Sequence, residues 1–425
     1  MTILRLPLPG GQTTIINQRP ESTTIMLDAQ TMFTFDAAGR LHGAFVQGST
    51  FRRSLANAIL EKRPGPPAGL SSRQRRFLTP AEVQALEQRA YDTAAEVLAH
   101  IQDQGDASAG QAPAAILAAL ARVASCNYDK LEDEREVYER LYKPVTILPP
   151  DQYLALYLQA TEGCAYDACS FCGFYRDRRF HVKTLAEFRA HMDAVRAFFG
   201  EALTLRRSIF LGDANALMIP QAALLPLLDA VNTEFVIAPP GLTGSALRAW
   251  KEAHPQHLQG IYSFVDAFST RRKTVEDWRA LAARGLRRAY IGLETGDPTL
   301  LRFLGKPNTP AEAQTLIAHL KEAGVAVGII VLVGAGGQTY QEAHITATTR
   351  LINALPLDAH DLIYFSELMD YPTATYEAQA TTAGLRLLAA SEIEEQSRRL
   401  RAGLRFWRQP GAPKVSLYDI REFIY

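Results

Sequence analysis

Three of the four cysteines of this 425-residue chain lie within the short stretch TEGCAYDACSFCGFY, at residues 161–175. They are Cys164, Cys169 and Cys172, and their spacing is C-x4-C-x2-C. The run YLALYLQA, which predicts a buried strand, precedes them. Because cysteines at this spacing can bind one centre from a single turn, this stretch constrains the fold more than any other.

The cysteines can be interpreted in three ways. A disulfide framework is a poor explanation, since four cysteines in so long a chain are typical of a reducing compartment, where clustered thiols bind metal or do redox work. We therefore expect a cytoplasmic protein. Zinc lacks an evident fourth ligand, because Cys126 and His181 have no finger-like spacing to the cluster. Three cysteines suit a [4Fe–4S] cluster with one iron left open, so this interpretation is favoured and zinc stays open.

Strand-like and helix-like runs alternate from about residue 150 to residue 370. Strands are predicted at LALYLQAT, RSIFLGD, IYSFVDAF, RAYIGLE, VAVGIIVLVG and DLIYFSELM. Helices are predicted over residues 184–199, 220–230, 274–284, 310–323 and 338–354. Repeated strand–helix units imply a parallel α/β sheet, either a six-unit partial barrel or an open doubly wound sheet. Function then belongs at the C-terminal strand ends, where the cysteine stretch lies.

The flanking regions predict two further units. Residues 1–145 are interpreted as an additional α/β domain, with a hairpin at FDAAGRLHGAF and helices over TPAEVQALEQRAYDTAAEVLAHIQ, residues 112–125 and YDKLEDEREVYERLY. The stretch RPGPPAGLSS is interpreted as a linker or flap. Residues 146–370 form the predicted barrel, and residues 371–425 a helical extension. Its apolar tail, VSLYDIREFIY, should pack back onto the barrel, and we expect the N-terminal region to cover part of the opening.

Composition excludes little. Forty-five basic and forty-five acidic residues cancel, so the net charge names no partner. No signal peptide is evident at the start, and the longest apolar run, AGVAVGIIVLVGAGG, is too short to span a bilayer, so no membrane role is expected. The basic stretch over residues 52–76 permits nucleic-acid binding, although such runs are more often solvated surface.

Several motifs in this order resemble the radical S-adenosylmethionine (SAM) superfamily. An aromatic residue precedes the third cysteine, and FLGDANAL stands where that family has a Gly-rich second-strand motif. RRAYIGLETGDPTLLRFLGKPNT and AGVAVGIIVLVGAGGQTYQEA are similar to the fourth- and fifth-strand segments of its Elongator-like and coproporphyrinogen-dehydrogenase-like branches. The resemblance covers about residues 150–370. Most members use C-x3-C-x2-C, so this chain carries one additional residue between its first two cysteines.

The resemblance implies an oxygen-sensitive enzyme built on a partial (β/α)6 TIM-like barrel. Cys164, Cys169 and Cys172 would hold a [4Fe–4S] cluster that cleaves SAM reductively to a 5′-deoxyadenosyl radical, and that radical would abstract hydrogen from an organic substrate. The residues that the resemblance assigns to SAM binding are Phe171, Gly212, Asp213, Glu294 and Gly334. No catalytic side chain beyond these is predicted. Cys126, the remaining cysteine, is expected to be buried and inert.

The substrate cannot be derived from these motifs. A small biosynthetic metabolite is the first expectation, and modification of tRNA or protein is the second. An external electron donor of the flavodoxin or ferredoxin type is expected in either case. A different class also stays open, a zinc-stabilised α/β binding protein that catalyses nothing.

Overall fold

The computed structural model of the chain describes residues 1–7, 13–103, 113–369, 371, 373–406 and 409–425. Two large sheets dominate this part of the chain, an antiparallel sheet of eight strands and a parallel sheet of seven. No helix in the described ranges is long and apolar enough to cross a membrane.

The antiparallel sheet is a meander in which each strand pairs with the next along the chain. Its strands are β1 (Thr2–Pro7), β2 (Thr13–Gln18), β3 (Ser22–Asp28), β4 (Thr31–Asp36), β5 (Leu41–Val46), β6 (Ser49–Arg53), β7 (Ile59–Ala68) and β8 (Ser71–Phe77). Every second residue along β4 is buried, Phe33 and Phe35 among them, so one face of the sheet is apolar. The predicted hairpin at FDAAGRLHGAF is β4–β5.

Three helices follow this sheet: α1 (Pro80–Asp103), α2 (Ala114–Ala124) and α3 (Tyr128–Leu141). Val97 of α1 and Leu120 of α2 pack with Phe33 in a core that is separate from the core of the parallel sheet. Helix α3 contributes Leu131 to this core and Tyr138 to the larger one. Residue 112, where we predicted the second helix to begin, lies outside the described residues.

The stretch RPGPPAGLSS is not a linker or flap, because it forms the end of β7, the turn and the start of β8. Beyond Lys62, β7 pairs only with β8, since its pairing with β6 ends there. A proline in such a segment removes no hydrogen bond that a second neighbouring strand would need. The hairpin can therefore contain prolines, which would be unfavourable in a central strand.

The second half of the chain contains eleven more strands within the described residues. They are β9 (Ala155–Gln159), β10 (Thr161–Glu162), β11 (His181–Val182), β12 (Ser208–Gly212), β13 (Val236–Ile237), β14 (His257–Leu258), β15 (Ile261–Val265), β16 (Leu286–Glu294), β17 (Ala326–Val333), β18 (Leu362–Glu367) and β19 (Lys414–Leu417). The parallel sheet has the order β9-β12-β15-β16-β17-β18-β19. Because each new strand adds beside the last, crossovers of one hand keep the helices on one face.

The helices of this half are α4 (Leu185–Phe199), α5 (Gln221–Glu234), α6 (Gly244–Ala253), α7 (Val275–Ala283), α8 (Pro298–Phe303), α9 (Pro310–Glu322), α10 (Gly337–Asn353), α11 (Tyr376–Thr382) and α12 (Ala390–Ala402). Capping boxes begin three of them, as at Thr184 and Glu187 of α4. The six predicted strands are all present. The parallel sheet also has a seventh, β19, which the predicted helical extension did not include.

The C-terminal tail lies between the parallel sheet and the antiparallel sheet. The Tyr425 hydroxyl accepts the Tyr157 N–H of β9 at 2.8 Å and donates to the Ala155 carbonyl at 3.2 Å. The Leu55 N–H, which follows β6, donates to the Tyr425 carbonyl at 2.8 Å. Tyr425 therefore connects the antiparallel sheet to the edge strand of the parallel sheet.

Candidate active site

A cavity opens at the C-terminal ends of the parallel strands, where the sequential strand order directs their loops. The volume of the cavity is about 210 Å³. The strands β12, β15, β16, β17 and β18 contribute to the wall directly or through the residues just after them, and the loop after β10 contributes the cysteines. The residues of the wall that bear on its chemistry are Cys164, Cys169, Phe171, Cys172, Asn215, Asp266, Glu294, Lys306, Ser366, Glu367 and Tyr418.

The three cysteines lie on a loop whose ends are held together by the short antiparallel pair of β10 and β11. The Cys172 N–H donates to the Cys169 carbonyl at 3.3 Å, which forms the turn that the x2 spacing predicts. The Asp167 N–H donates to the Cys164 sulfur at 3.4 Å, inside the x4 interval. Asp167 has a φ of 44°. The additional residue of this interval is thus accommodated by a local left-handed turn.

The loop that follows α8 supports the cysteine loop. The Tyr166 hydroxyl donates to the Gly305 carbonyl at 2.7 Å, and the Ser170 N–H donates to the Leu304 carbonyl at 2.9 Å. A Cβ at Gly305 would lie 3.0 Å from the Ala168 carbonyl oxygen, and the φ of Gly305 is 69°. Glycine at this position therefore permits the two loops to approach each other.

Burial raises the pKa of all three thiols, to about 11 for Cys169 and about 12 for Cys172. As free thiols they would be protonated, so a bound cation must supply the charge that makes them ligands. Three thiols from one loop along one cavity wall are the donor set of an iron–sulfur cluster that leaves one iron open, and they would also supply three of the four ligands of a zinc site.

Glu294 and Lys306 form a buried ion pair in the cavity wall. The Lys306 Nζ atom donates to Glu294 Oε1 at 2.6 Å and also to the Gly292 carbonyl. Burial lowers the pKa of Lys306, but the neighbouring carboxylate of Glu294 acts in the other direction and the net shift is upward. A Cβ at Gly292 would lie 2.2 Å from Glu294 Oε1, so glycine leaves the space for the pair. The sequence analysis identified Glu294 and missed Lys306, which lies in the quoted segment RFLGKPNT.

The backbone directs the Glu294 side chain. Glu294 has a φ of 58°, and the pairing of β16 with β17 shifts register between Gly292 and Glu294. Such a bulge changes the direction of a side chain at the end of a strand. A non-glycine residue in this region of φ carries strain, which is common where function fixes the side chain.

Two of the five residues assigned to SAM line the cavity, Phe171 and Glu294. Gly212, Asp213 and Gly334 do not lie among the residues of its wall. Gly334 follows β17 and begins the connection to α10. Its N–H donates to Gln396 Oε1 of α12 at 2.7 Å. The wall residues that follow β12 are Ala214 and Asn215.

Asp213 instead holds the ends of the cysteine loop from behind. Its carboxylate accepts the Tyr157 hydroxyl at 2.6 Å, the Gly163 N–H at 2.9 Å and an Arg178 N–H at 3.2 Å. Burial raises the pKa of Asp213, while the hydrogen bonds from Tyr157 and its other donors act against that shift. Gly163 immediately precedes the first cysteine and Arg178 lies near the far end of the loop. Asp213 is therefore placed to position the loop without contacting the cavity.

Asn215 and Asp266 form a polar part of the cavity wall. Asn215 Nδ2 donates to Asp266 Oδ2 at 2.5 Å, and the Ser269 N–H and hydroxyl both donate to Asp266 Oδ1 at 2.7 Å. The Asn215 Oδ1 atom is buried and has no hydrogen-bond partner among the described residues. An unsatisfied acceptor in a cavity wall fits a bound molecule that carries a hydrogen-bond donor.

The other candidate ligands lie elsewhere. Cys126 is buried in the N-terminal core, and the Lys130 Nζ atom lies 3.4 Å from its sulfur. Burial raises the pKa of its thiol. His181 is exposed and lies 3.5 Å from Glu187. Neither residue lines the cavity, so the three clustered cysteines have no fourth protein ligand from these two.

The sequence matches known proteins over the parallel sheet. The sequence model of the radical SAM superfamily matches residues 158–348. An uncharacterised protein of Methanopyrus kandleri is 28% identical over 32% of this chain and 30% of its own length. The chain thus spans about a third of that relative.

Two solved structures are similar to part of the chain, with low TM-scores. Coproporphyrinogen III oxidase from Escherichia coli, a radical SAM enzyme, is 17% identical with a TM-score of 0.41, over 59% of this chain and 52% of that one. A radical S-adenosylmethionine methyltransferase from Kitasatospora setae, with cobalamin and a [4Fe–4S] cluster bound, is 20% identical with a TM-score of 0.38, over 53% and 36%.

Proposed function

We propose, on the premise that residues 158–348 form a radical SAM superfamily domain, that this protein is an enzyme that cleaves SAM reductively and abstracts hydrogen from a small organic substrate. One observation carries the proposal. Three cysteines from one loop line a single cavity at the C-terminal ends of the parallel strands, and no other cysteine does. This is the end of such a sheet at which active sites are found.

In this proposal Cys164, Cys169 and Cys172 hold a [4Fe–4S] cluster. When bound, the cluster supplies one electron to SAM, whose cleavage gives a 5′-deoxyadenosyl radical. Phe171 contributes an apolar surface for the adenosine part of SAM. The Asn215 Oδ1 atom and the carboxylate of Glu294 are acceptors for its ammonium and hydroxyl groups. The aromatic and aliphatic wall excludes water from the reacting atoms.

Asp213 and Lys306 are positioning residues in this proposal. Asp213 holds both ends of the cysteine loop, and Lys306 fixes the carboxylate of Glu294. Gly212 and Gly334 shape the turns beside the cavity. The structure thus supports a more indirect role for Gly212, Asp213 and Gly334 than the SAM contacts that the resemblance implied.

A small substrate is favoured over RNA because several basic residues of this stretch already pair with carboxylates of the chain. Arg75 lies 2.7 Å from Asp419 and 2.9 Å from Glu422, and Arg76 lies 2.7 Å from Glu61. Phosphate groups would have to compete with these carboxylates. An external electron donor of the flavodoxin or ferredoxin type and a reducing, cytoplasmic location complete the proposal.

Anaerobic reconstitution tests the function. The purified chain should bind about four irons and four sulfides, since a [4Fe–4S] cluster contains these numbers. With SAM and dithionite it should form 5′-deoxyadenosine, measured by mass spectrometry. One zinc per chain, with no iron retained and no 5′-deoxyadenosine formed, would support the zinc-stabilised binding protein instead. Salt-sensitive retention on RNA by the cluster-loaded protein would favour the RNA-modifying alternative.

A further inference from the structure

The wall of the cavity includes two hydroxyl-bearing residues, Ser366 of β18 and Tyr418, which follows β19. The Tyr418 N–H donates to the Phe365 carbonyl at 2.9 Å and so extends the pairing of β18 with β19 by one position. This places Tyr418 beside Ser366. Both residues line the cavity, and both lie outside residues 158–348, the range that matches the superfamily.

The Tyr418 hydroxyl is buried and unsatisfied. Tyr418 is 1% exposed, and its oxygen has no hydrogen-bond partner in the described part of the chain. Its neighbours differ, because Tyr290 and Tyr364 both donate their hydroxyls to the carboxylate of Asp151. Burying a hydroxyl without a partner costs about 1–3 kcal/mol.

Packing does not explain a tyrosine here. The Tyr418 ring lies 5.6 Å from the ring of Tyr364, and a phenylalanine would keep that contact without the unsatisfied oxygen. Ser366, which is 5% exposed, lines the same cavity. A buried hydroxyl that the protein leaves without a partner, in a residue of a cavity wall, is typical of a ligand-binding surface.

We propose that Tyr418, with Ser366 beside it, is the hydrogen-bonding anchor for the substrate, and that the substrate carries an uncharged acceptor such as a carbonyl oxygen on an apolar or aromatic body. The inference rests on the proposed function. Burial raises the pKa of Tyr418 well above its ordinary value, so the phenol stays protonated and donates.

The rest of the wall supports this class of substrate. Phe264, Ile330 and Ile420 supply apolar surface next to the hydroxyls. Three carboxylates line the cavity, those of Asp266, Glu294 and Glu367, against the single lysine Lys306. An anionic group would be repelled by this excess of negative charge, whereas a neutral carbonyl would not.

Two probes of nearly equal shape test the anchor. Acetophenone carries a carbonyl oxygen where α-methylstyrene carries a CH₂ group. Their affinities for the cluster-loaded, anaerobic full chain can be measured by ligand-observed NMR. Tyr418→Phe should lower the ratio of acetophenone to α-methylstyrene affinity about fivefold, which corresponds to about 1 kcal/mol. Tyr364→Phe, whose hydroxyl bonds Asp151, is the matched control and should leave the ratio unchanged. An unchanged ratio in Tyr418→Phe overturns the proposal.

Thermal stability supplies a second readout. Tyr418→Phe should leave the Tm of the substrate-free protein unchanged or higher, whereas Tyr364→Phe should lower it, because only the latter removes a hydrogen bond. An equal loss of Tm in both variants would show that Tyr418 is bonded within the fold, and the anchor would fail. If the wild-type protein makes no 5′-deoxyadenosine from SAM yet discriminates the probes through Tyr418, the proposed function fails and the anchor stands.

Discussion

The amino group of Lys306 lies 2.6 Å from the carboxylate of Glu294, and both side chains are more than nine-tenths buried in the cavity wall. The pair is built by three local features: the bulge at the end of β16, the absence of a side chain at Gly292, and the loop after α8. That loop also supports the cysteine loop through Leu304 and Gly305. The ion pair therefore links the end of β16 to the loop that supports the cysteines.

We expect Lys306→Ala to destabilise the protein by about 3–5 kcal/mol, because it leaves the Glu294 carboxylate buried without its partner. Urea unfolding monitored by circular dichroism measures the change. The double variant Lys306→Met, Glu294→Met should recover much of the loss, since it removes both charges and keeps apolar volume. A surface pair, Arg398 with Glu395, serves as the control, and Arg398→Ala should change the stability far less, because both side chains are exposed. A small effect of Lys306→Ala would contradict the buried pair.

Glu294→Gln should weaken SAM binding, and it should also lower stability because it leaves the buried Lys306 ammonium without its charged partner. The amide keeps the size of the side chain and one acceptor oxygen but loses the charge that a SAM ammonium or hydroxyl would contact. Replacing one such charged hydrogen bond corresponds to about 1.5–3 kcal/mol, or a rise of roughly 10- to 150-fold in the dissociation constant. Isothermal titration calorimetry on anaerobic, cluster-loaded protein measures it. An unchanged dissociation constant would make Glu294 a structural residue.

Each of the variants Cys164→Ala, Cys169→Ala and Cys172→Ala should lose bound iron and the formation of 5′-deoxyadenosine. Two thiolates cannot replace three in holding the cluster. Cys126→Ala is the matched control, because Cys126 lies in the N-terminal core. This substitution should leave both the iron content and SAM cleavage near the wild-type level. Iron analysis and electron paramagnetic resonance of the reduced protein report the outcome. Normal cleavage by Cys169→Ala would defeat the assignment.

Asp213→Ala should reduce iron retention although Asp213 does not line the cavity. The substitution removes the acceptor for Gly163 and Arg178, so the two ends of the cysteine loop lose their common anchor. We expect a loss of stability of about 3–5 kcal/mol, as for other broken buried charge pairs, together with faster loss of iron to a chelator. Tyr157→Phe, which removes only one donor to Asp213, should have a smaller effect on both. Iron release at the wild-type rate would rule out this positioning role.

Glu87 predicts a pH dependence of stability in the N-terminal region. Burial raises the pKa of Glu87 to about 7, and both carboxylate oxygens lack hydrogen-bond partners among the described residues. Between its unfolded value near 4.5 and 7 the folded state holds a proton that the unfolded state has released, so stability falls as pH rises through this window. The loss of stability over the whole window is about 3 kcal/mol, because each unit of pKa shift corresponds to about 1.4 kcal/mol.

The measurement is the difference between the wild type and Glu87→Gln in urea unfolding at pH 5 and pH 7.5. Glutamine keeps the shape and does not titrate, so the variant should lose the decline. The difference is needed because His42, whose pKa burial lowers to about 3, acts in the opposite direction below pH 6.5. Parallel curves for the two proteins would show that Glu87 does not titrate in this range.

The parallel sheet could be predicted from the sequence because its strands are nearly continuous apolar runs, buried on both faces. All five residues of β9 and of β12 are buried, for example. The eight-stranded sheet was harder, since its strands are short, half exposed and interrupted by prolines in β7. The strand β19 was missed because its four residues, Lys414–Leu417, have no strong apolar pattern and are held by pairing to β18.

Only some residues of the cavity wall could be predicted from the sequence. Spacing alone brought out Cys164, Cys169 and Cys172, and the resemblance added Phe171 and Glu294. Lys306, Asn215 and Tyr418 reach the same cavity from distant segments, and only the fold brings them there. Asp213 looked like a ligand contact because it ends a strand at the functional edge. Its neighbours Tyr157, Gly163 and Arg178, which turn it inward, are separated from it by more than thirty positions.

The contact between Leu70 and Glu367 has an evolutionary consequence. The turn of the β7–β8 hairpin donates its Leu70 N–H to the Glu367 carboxylate in the cavity wall, across 297 positions of sequence. A mutation in that hairpin can therefore alter the mouth of the cavity without touching the strands that carry the cysteines. The part of the wall that Glu367 forms and the loop that carries the cysteines can then vary independently of each other.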